Sequence, residues 1–393
     1  MKYDFNTVID RWGTDCEKWD NLGEVFGRDD LLPMWVADMD FPSPPQVVEA
    51  LVRRAKHPVY GYTYRSDAFY EAFIGWLAQR HGWNVNRDWL SDAPGVIPGI
   101  VLCVEAFTEP GDQILIQTPV YRPFFQVVQR TGRQLVESPL VLDTGRYVMD
   151  FTDVRAKFAQ GVKMMILCSP HNPVGRVWTE NELRCLGELC LEYNVKIVVD
   201  EIWSDLVFRP HKHYSLAALS PQLAAQTITC MAPSKTFNIA GLNTAVIIIP
   251  NAQWKQQYDS AIRRAHLSSG NVFGITAFTA AYTNGAEWLD QLLQVLQQNR
   301  DLAVAELNDY FGTQVYPPEG TYLLWLDFRS ICPDPELLMH ALINYGKVGL
   351  SNGLAFGNNG RGFFRLNFGC PQTVLMDGLT RIKRTLEHLK NRT

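Results

Sequence analysis

An α/β domain with a mostly parallel sheet, joined to a smaller α+β unit, is the architecture this sequence predicts. Three observations carry it. Short runs rich in Val, Ile, Leu and Met recur through the middle of the chain with little polar alternation, as in strands covered on both faces. A stretch with helical spacing separates two of these runs. Beyond Gly285 the texture changes to one long amphipathic segment followed by shorter mixed elements.

Taken in order, Glu109-Pro110-Gly111-Asp112 is a turn feeding a strand over 113–117, which stops at Thr118-Pro119. Residues 163–168 form the next apolar run, and 180–193 carry Leu183, Leu186, Leu189 and Cys190 at helical spacing. Further strands are read at 196–200, 227–231 and 244–249. The long helix covers 287–311 and is broken by Pro317-Pro318-Glu319-Gly320. A strand (321–328), a helix (335–345), a strand (362–368) and a helix from Pro371 onward complete the pattern.

The chain of 393 residues is long enough for two or more domain-sized units and a large core. A 47% hydrophobic and 20% charged composition is that of a globular protein. The net charge of −5, without any run of Lys or Arg, argues against nucleic acid or an anionic membrane as partner. The N-terminus lacks the apolar stretch of a secretory signal, and runs such as Ala245-Val246-Ile247-Ile248-Ile249 are too short to span a bilayer. Eight scattered cysteines with no C-x-x-C read as reduced thiols, so a cytoplasmic location is expected.

In sheets of this kind ligands gather at the carboxyl ends of strands. Asp200 stands at one such end, in Val198-Val199-Asp200-Glu201. Asn172 lies just past another, in Pro170-His171-Asn172-Pro173-Val174-Gly175, and Lys235 follows a third, in Ala232-Pro233-Ser234-Lys235-Thr236. All three fall on one rim. A buried acid, a turn amide and a lysine beside a serine are what a pyridine aldehyde cofactor needs. The acid holds the pyridinium nitrogen, the amide reaches the ring hydroxyl, and the lysine makes the covalent link.

Ala93-Pro94-Gly95-Val96-Ile97-Pro98-Gly99, followed by an apolar helical stretch, offers a phosphate a glycine for close approach and the amides of a helix start. Ser234 is a further donor. Arg365, in a strand otherwise made of Phe363, Phe364, Leu366 and Phe368, needs a partner, and its planar fork suits a substrate carboxylate. Each residue has an ordinary alternative. Lys235 also reads as a surface lysine, Asp200 as a helix N-cap and Asn172 as a turn amide. The glycine–proline cluster also reads as a common turn, and Arg365 as an arginine on a strand's outer side.

Taken together, Ser169 to Gly175, Val199-Asp200-Glu201-Ile202, Ser234-Lys235-Thr236-Phe237-Asn238 and Arg365-Leu366-Asn367 resemble the fold-type I pyridoxal-phosphate enzymes. Trp35-Val36-Ala37-Asp38-Met39-Asp40-Phe41, Val59-Tyr60-Gly61-Tyr62, Gly349-Leu350-Ser351-Asn352-Gly353 and Phe364 to Pro371 are similar, more narrowly, to the MalY/PatB group of cystathionine β-lyases, or C–S lyases. The resemblance covers essentially the whole chain.

It implies a large cofactor domain over 50–285 with a seven-stranded-type, mostly parallel sheet. A small domain would be built from 1–49 and 286–393. It implies pyridoxal 5'-phosphate as cofactor, no metal, a small amino-acid substrate, and a homodimer with a shared active site. Lys235 would carry the cofactor and act as base at the substrate α-carbon; Asp200, Asn172, Gly95, Val96, Ile97, Ser234 and Trp203 would bind the cofactor. Tyr121 would stack on its ring, Tyr62 would reach the phosphate of the neighbouring subunit, and Arg365 and Ala37 would meet the substrate. Tyr121 and Tyr62 are also the other ionisable groups placed beside Lys235 for proton transfer.

Departures stand at three places. Trp203 occupies the position of a ring-contacting tyrosine, Asn243 that of a phosphate-binding arginine, and Pro233 and Ala232 that of small polar residues. The reaction implied is α,β-elimination of an L-cysteine S-conjugate such as cystathionine to a thiol, pyruvate and ammonia. An aminotransferase is the alternative within the fold, and a regulatory protein that sequesters a partner is the alternative outside enzymology.

Overall fold

The apolar runs form the middle of a seven-stranded sheet. Its strands are β1 (Leu90–Ala93), β2 (Gln113–Ile116), β3 (Gln134–Glu137), β4 (Met164–Cys168), β5 (Lys196–Asp200), β6 (Thr227–Met231) and β7 (Ala245–Ile248). Their spatial order is β1-β7-β6-β5-β4-β2-β3. The computed structural model describes residues 2–308, 310, 314–332 and 334–391. From β3 to β6 the five neighbouring strands are parallel, while β7 runs antiparallel to both β6 and β1.

Six helices enter the argument: α1 (Asp67–Trp76), α2 (Val96–Phe107), α3 (Glu180–Glu192), α4 (Val272–Asn284), α5 (Ala286–Leu307) and α6 (Gln372–Lys390). Alternate residues of the central strands face opposite layers. Ile166, Val198 and Ile228 pack with α2, whereas Met165, Leu167, Ile197 and Val199 pack with α3. Both faces are covered, so the central strands are mostly apolar on both sides, with Thr227 and Thr229 as buried exceptions. The start of α3 is fixed by a reciprocal cap, in which Thr179 accepts from the Glu182 amide and the Glu182 carboxylate accepts from the Thr179 amide.

The smaller sheet is antiparallel, with β8 (Gln314–Val315), β9 (Leu323–Asp327), β10 (Ser351–Asn352) and β11 (Phe363–Asn367) in the order β8-β9-β11-β10. Leu289, Leu292 and Leu296 of α5 and Leu375, Leu379 and Ile382 of α6 share one core with Leu324 and Leu366 of this sheet. The helix expected over 287–311 ends at Leu307, and 309 and 311 lie outside the described residues. The helix expected over 335–345 is Pro335–Ala341, prolonged by a wider turn over Leu342–Gly346. Leu32–Pro33 pairs in parallel with Val348–Gly349, which brings the following segment, 35–41, across to the large sheet. Among the described residues no helix is long and apolar enough to cross a membrane.

Candidate active site

Strands β4, β5 and β6 are adjacent and parallel, so whatever follows their last residues converges. Asp200 is the last residue of β5 and its Cα partner across the ladder is Cys168, the last of β4. Asn172 and Lys235 each follow four residues past a strand end. A cavity of about 210 Å³ opens at this rim, lined by Asn172, Asp200, Ser234 and Lys235. Tyr121, Trp203 and Ala37 close its sides, and Gly95, Val96 and Ile97 bring the start of α2 to it.

The charges in this cleft lack ordinary partners. Asp200 is buried and accepts from the Ile202 amide at 3.0 Å; burial pushes its carboxyl up to about 7, against the pull of that amide and of Lys235. Burial likewise lowers Lys235 to about 8, opposed by the Asp38 charge. The lysine Nζ donates to the Ala37 carbonyl at 2.7 Å and lies 5.7 Å from the centre of the Trp203 ring. Tyr121 is raised above its usual value by burial and by the Asp200 charge.

Arg365 does not line the cavity wall but is tied to it. Its Nη1 donates to Asn172 Oδ1 at 3.1 Å, and its Nη2 donates to the Trp35 carbonyl at 2.6 Å and to Ser351 Oγ at 3.3 Å. The guanidinium lies 4.9 Å from the Phe356 ring centre, no carboxylate pairs with it among the described residues, and its buried Nε has no partner. Burial lowers its pKa to about 10. The arginine commits the carbonyl end of the Asn172 amide, so the NH₂ end is the one available to a ligand. The loop holding Asn172 is itself fixed by His171, whose buried ring bonds the Pro119 carbonyl at 2.8 Å.

A buried carboxylate without a cation and a buried guanidinium without an anion are costly unless a ligand completes them. A pyridinium and a substrate carboxylate would do so. The phosphate end also fits. Gly95, the N-cap of α2, has φ 177° and ψ 169°, a backbone any residue adopts. A Cβ there would meet only the Pro98 ring, Cδ at 3.5 Å and Cγ at 3.9 Å, so no protein contact demands glycine. A ligand phosphate close to the backbone would use that open space. Beside it, Thr244 presents a buried hydroxyl without a partner to the same cavity.

Thr244 was not singled out by the sequence; it sits next to Asn243, which also lines the cavity where an arginine was expected. Cys168 and Tyr322 were missed as well. Cys168 Sγ accepts from the Asn172 amide at 3.4 Å, and the Tyr322 hydroxyl donates to the Ala37 carbonyl at 2.9 Å, the acceptor it shares with Lys235. Neither carries a sequence signal beyond lying in a strand or its approach. Tyr62 stands apart from the cleft of its own chain, fully exposed in the irregular segment 57–66 with Tyr60 and Tyr64.

Comparison with known proteins agrees with this geometry. Residues 29–382 match the family model for aminotransferases of class I and II. Cystathionine β-lyase PatB of Bacillus subtilis (strain 168) is 44% identical over 384 residues, covering 97% of this chain and 99% of its own. The chain belongs to this family, in its MalY/PatB group of fold-type I pyridoxal-phosphate enzymes.

Two solved structures are similar nearly end to end. A pyridoxal-phosphate-bound putative aminotransferase from Clostridium difficile 630 superposes with a TM-score of 0.96 at 44% identity, covering 98% of this chain and 100% of that one. Cystalysin from Treponema denticola, which contains pyridoxal 5'-phosphate, superposes with a TM-score of 0.95 at 33% identity, covering 99% and 100%. Pyridoxal 5'-phosphate is thus the cofactor of this family.

Proposed function

We propose that the chain is a pyridoxal-phosphate-dependent C–S β-lyase, eliminating a thiol from L-cystathionine or a related L-cysteine S-conjugate and leaving pyruvate and ammonia. The observation that carries the reading is the cleft itself, in which an amine of depressed basicity, Lys235, shares the wall with Asp200, an acid without a cation partner, and with the start of α2, while Arg365 is tied to that wall through Asn172. Similarity to cystathionine β-lyase PatB over almost the full length supports the choice of reaction.

Asp200 would hold the pyridine nitrogen, the Asn172 NH₂ the ring oxygen, Tyr121 and Trp203 the ring's surroundings, and Ser234 with the amides of residues 95–97 the phosphate. When bound, pyridoxal phosphate supplies an electron sink for negative charge developing at the substrate α-carbon. Arg365 would take the substrate carboxylate through its fork, exchanging the Trp35 carbonyl for it. Burial lowers the basicity of the Lys235 amine, which brings it closer to the range in which it could take the α-proton. The Ala37 carbonyl is the acceptor within its reach and would steady the ammonium it becomes.

Residues 50–285 are taken as the cofactor domain and 1–49 with 286–393 as the small domain, a division supported by the pairing of Leu32–Pro33 with Val348–Gly349. A homodimer with Tyr62 entering the partner's cleft is supported by the full exposure of that tyrosine. Purified protein given L-cystathionine is expected to release pyruvate and thiol in equal amounts. An aminotransferase is the second reading, favoured by the likeness to a putative aminotransferase structure. Keto-acid-dependent exchange of amino groups without pyruvate release would decide for it.

A further inference from the structure

Behind the rim lies a buried network that the cofactor chemistry does not account for. Lys235 belongs to a turn held at two points. On one side the Asn238 side chain accepts from the Met39 amide at 3.0 Å and donates to the Met39 and Phe41 carbonyls at 2.9 and 2.8 Å. On the other, the hydroxyl of Thr236, the residue after the lysine, donates to Asp205 Oδ2 at 2.8 Å. The opposite oxygen, Oδ1, accepts from Trp76 Nε1 of α1 at 2.9 Å and bonds His81 Nε2 at 2.8 Å.

The network continues to the second cofactor residue. The His81 ring meets the His213 ring edge-on at 5.6 Å, and His213 Nε2 bonds Glu201 Oε2 at 3.0 Å. Glu201, whose Oε1 accepts from Ser215 Oγ at 3.0 Å, is the residue after Asp200. Two carboxylate–histidine pairs therefore stand back to back, one next in sequence to Asp200 and one bonded to the residue after Lys235; Asp205, Glu201 and His213 are buried and His81 is partly so. His81 and, from α4, Tyr282 are the ionisable groups facing Asp205, and His213 with Glu201 lies beyond the His81 ring. Burial would raise Asp205, but the hydrogen bond and charge of His81, with Thr236 and Trp76, hold it below its ordinary value.

We propose that Asp205 and Thr236 are positioning residues for Lys235, the carboxylate being locked by Trp76 and His81 so that the lysine turn cannot shift as the lysine changes bonding partners. A lysine side chain is long and flexible, so the place of its amine depends on how firmly its backbone is held. Displacement by about 1 Å is enough to lose roughly a hundredfold in rate. A buried carboxylate with three donors is an expensive way to fill a core, and apolar packing would serve stability as well. Its attachment one residue from the lysine is what gives it a task.

The inference rests on the reading of Lys235 as the cofactor lysine, and the experiment separates the two. Wild-type protein, Thr236→Val and Thr236→Ser are loaded with pyridoxal phosphate. The visible band of the lysine-bound cofactor is titrated against pH, kcat and KM are measured on cystathionine, and the thermal midpoint is recorded. Valine keeps the volume of threonine and loses the hydroxyl; serine does the reverse. Thr236→Val is expected to lower kcat by about tenfold or more with KM within about twofold, and to displace the band's midpoint by at least about half a pH unit. Thr236→Ser is expected to recover most of both.

A mere packing role reverses that order, so a serine variant that falls as far as the valine variant, or a valine variant that titrates and turns over like wild type, overturns the proposal. If Thr236→Val does not fold, His81→Leu against His81→Gln puts the same question to the other side of the carboxylate. A folded His81→Leu protein with the wild-type midpoint and kcat overturns the proposal too. Wild-type protein that gains no visible band sinks the cofactor reading instead.

Discussion

Asp200 is buried with one backbone donor on its carboxylate, and this makes it the most pH-sensitive residue of the cleft. Its pKa rises from 3.8 in the unfolded chain to about 7 in the fold. A raised carboxyl contributes stability that is fully present below 3.8 and lost as the pH climbs through 7. Lys235 acts in the opposite sense: its pKa falls from 10.5 to about 8, so its contribution is present above 10.5 and lost as the pH falls through 8. Between pH 5 and 7.5 Lys235 stays mostly charged, and the change belongs to Asp200. Stripped of cofactor, the protein should lose thermal stability over this window. The gain in Tm on adding pyridoxal phosphate should therefore grow by several degrees from pH 5 to 7.5. Asp200→Asn should flatten that growth. A wild-type gain that does not change with pH would count against the role given to Asp200. Its place at a strand end was legible, because an acid that closes a buried apolar run is costly there unless a ligand meets it. Thr244, Tyr322 and Asp205 were not, because a hydroxyl or carboxylate acquires meaning here only from a partner distant in sequence.

At the scale of elements, legibility followed burial. β5 and β6 were read with their observed ends, since strands covered on both faces are mostly apolar and these two stop at an acid and just before Ala232-Pro233. The edge strands β1 and β3 were not read, their polar positions blending with turns. The reversal of β7 was invisible, because it is as fully buried as parallel β6 and the direction of a strand leaves no mark on burial. The start of α2 offers a test in which packing and ligand binding separate. A Cβ on Gly99 would meet Ile247 Cδ1 at 2.6 Å and Ala93 Cβ at 3.3 Å, where the helix lies on β7 and β1. Gly99→Ala should therefore cost roughly 1–3 kcal/mol of stability through overpacking. Gly95→Ala meets no such obstacle and should leave the cofactor-free Tm in place while weakening pyridoxal phosphate binding about tenfold, by keeping the phosphate off the helix amides. Urea unfolding and a fluorescence titration of the cofactor on both variants check the pair. Equal losses of stability in the two would remove the argument that Gly95 serves a ligand.

For the whole molecule the decisive residue is the one the fold leaves outside. Tyr62 is fully exposed, flanked by exposed Val59, Tyr60 and Tyr64, in a segment without regular structure. Such a cluster of exposed large side chains is the kind of surface that a second subunit would cover. If a second copy of this chain covers it and each Tyr62 reaches the other subunit's cleft, as proposed above, every active site needs residues from both chains. Mixing two inactive variants then distinguishes a shared site from two separate ones. Lys235→Ala removes the proposed base, and Tyr62→Ala removes the residue proposed to serve the neighbour. Each homodimer should be inactive or nearly so. After mild dissociation and reassociation in equal amounts, half the dimers are hybrids. In each hybrid one cleft carries both lesions and the other carries neither, so activity should return to about a quarter of the wild-type value. If each cleft were built from one chain, Tyr62→Ala and Lys235→Ala would impair their own sites independently, every hybrid would hold one site of each faulty kind, and mixing would restore nothing.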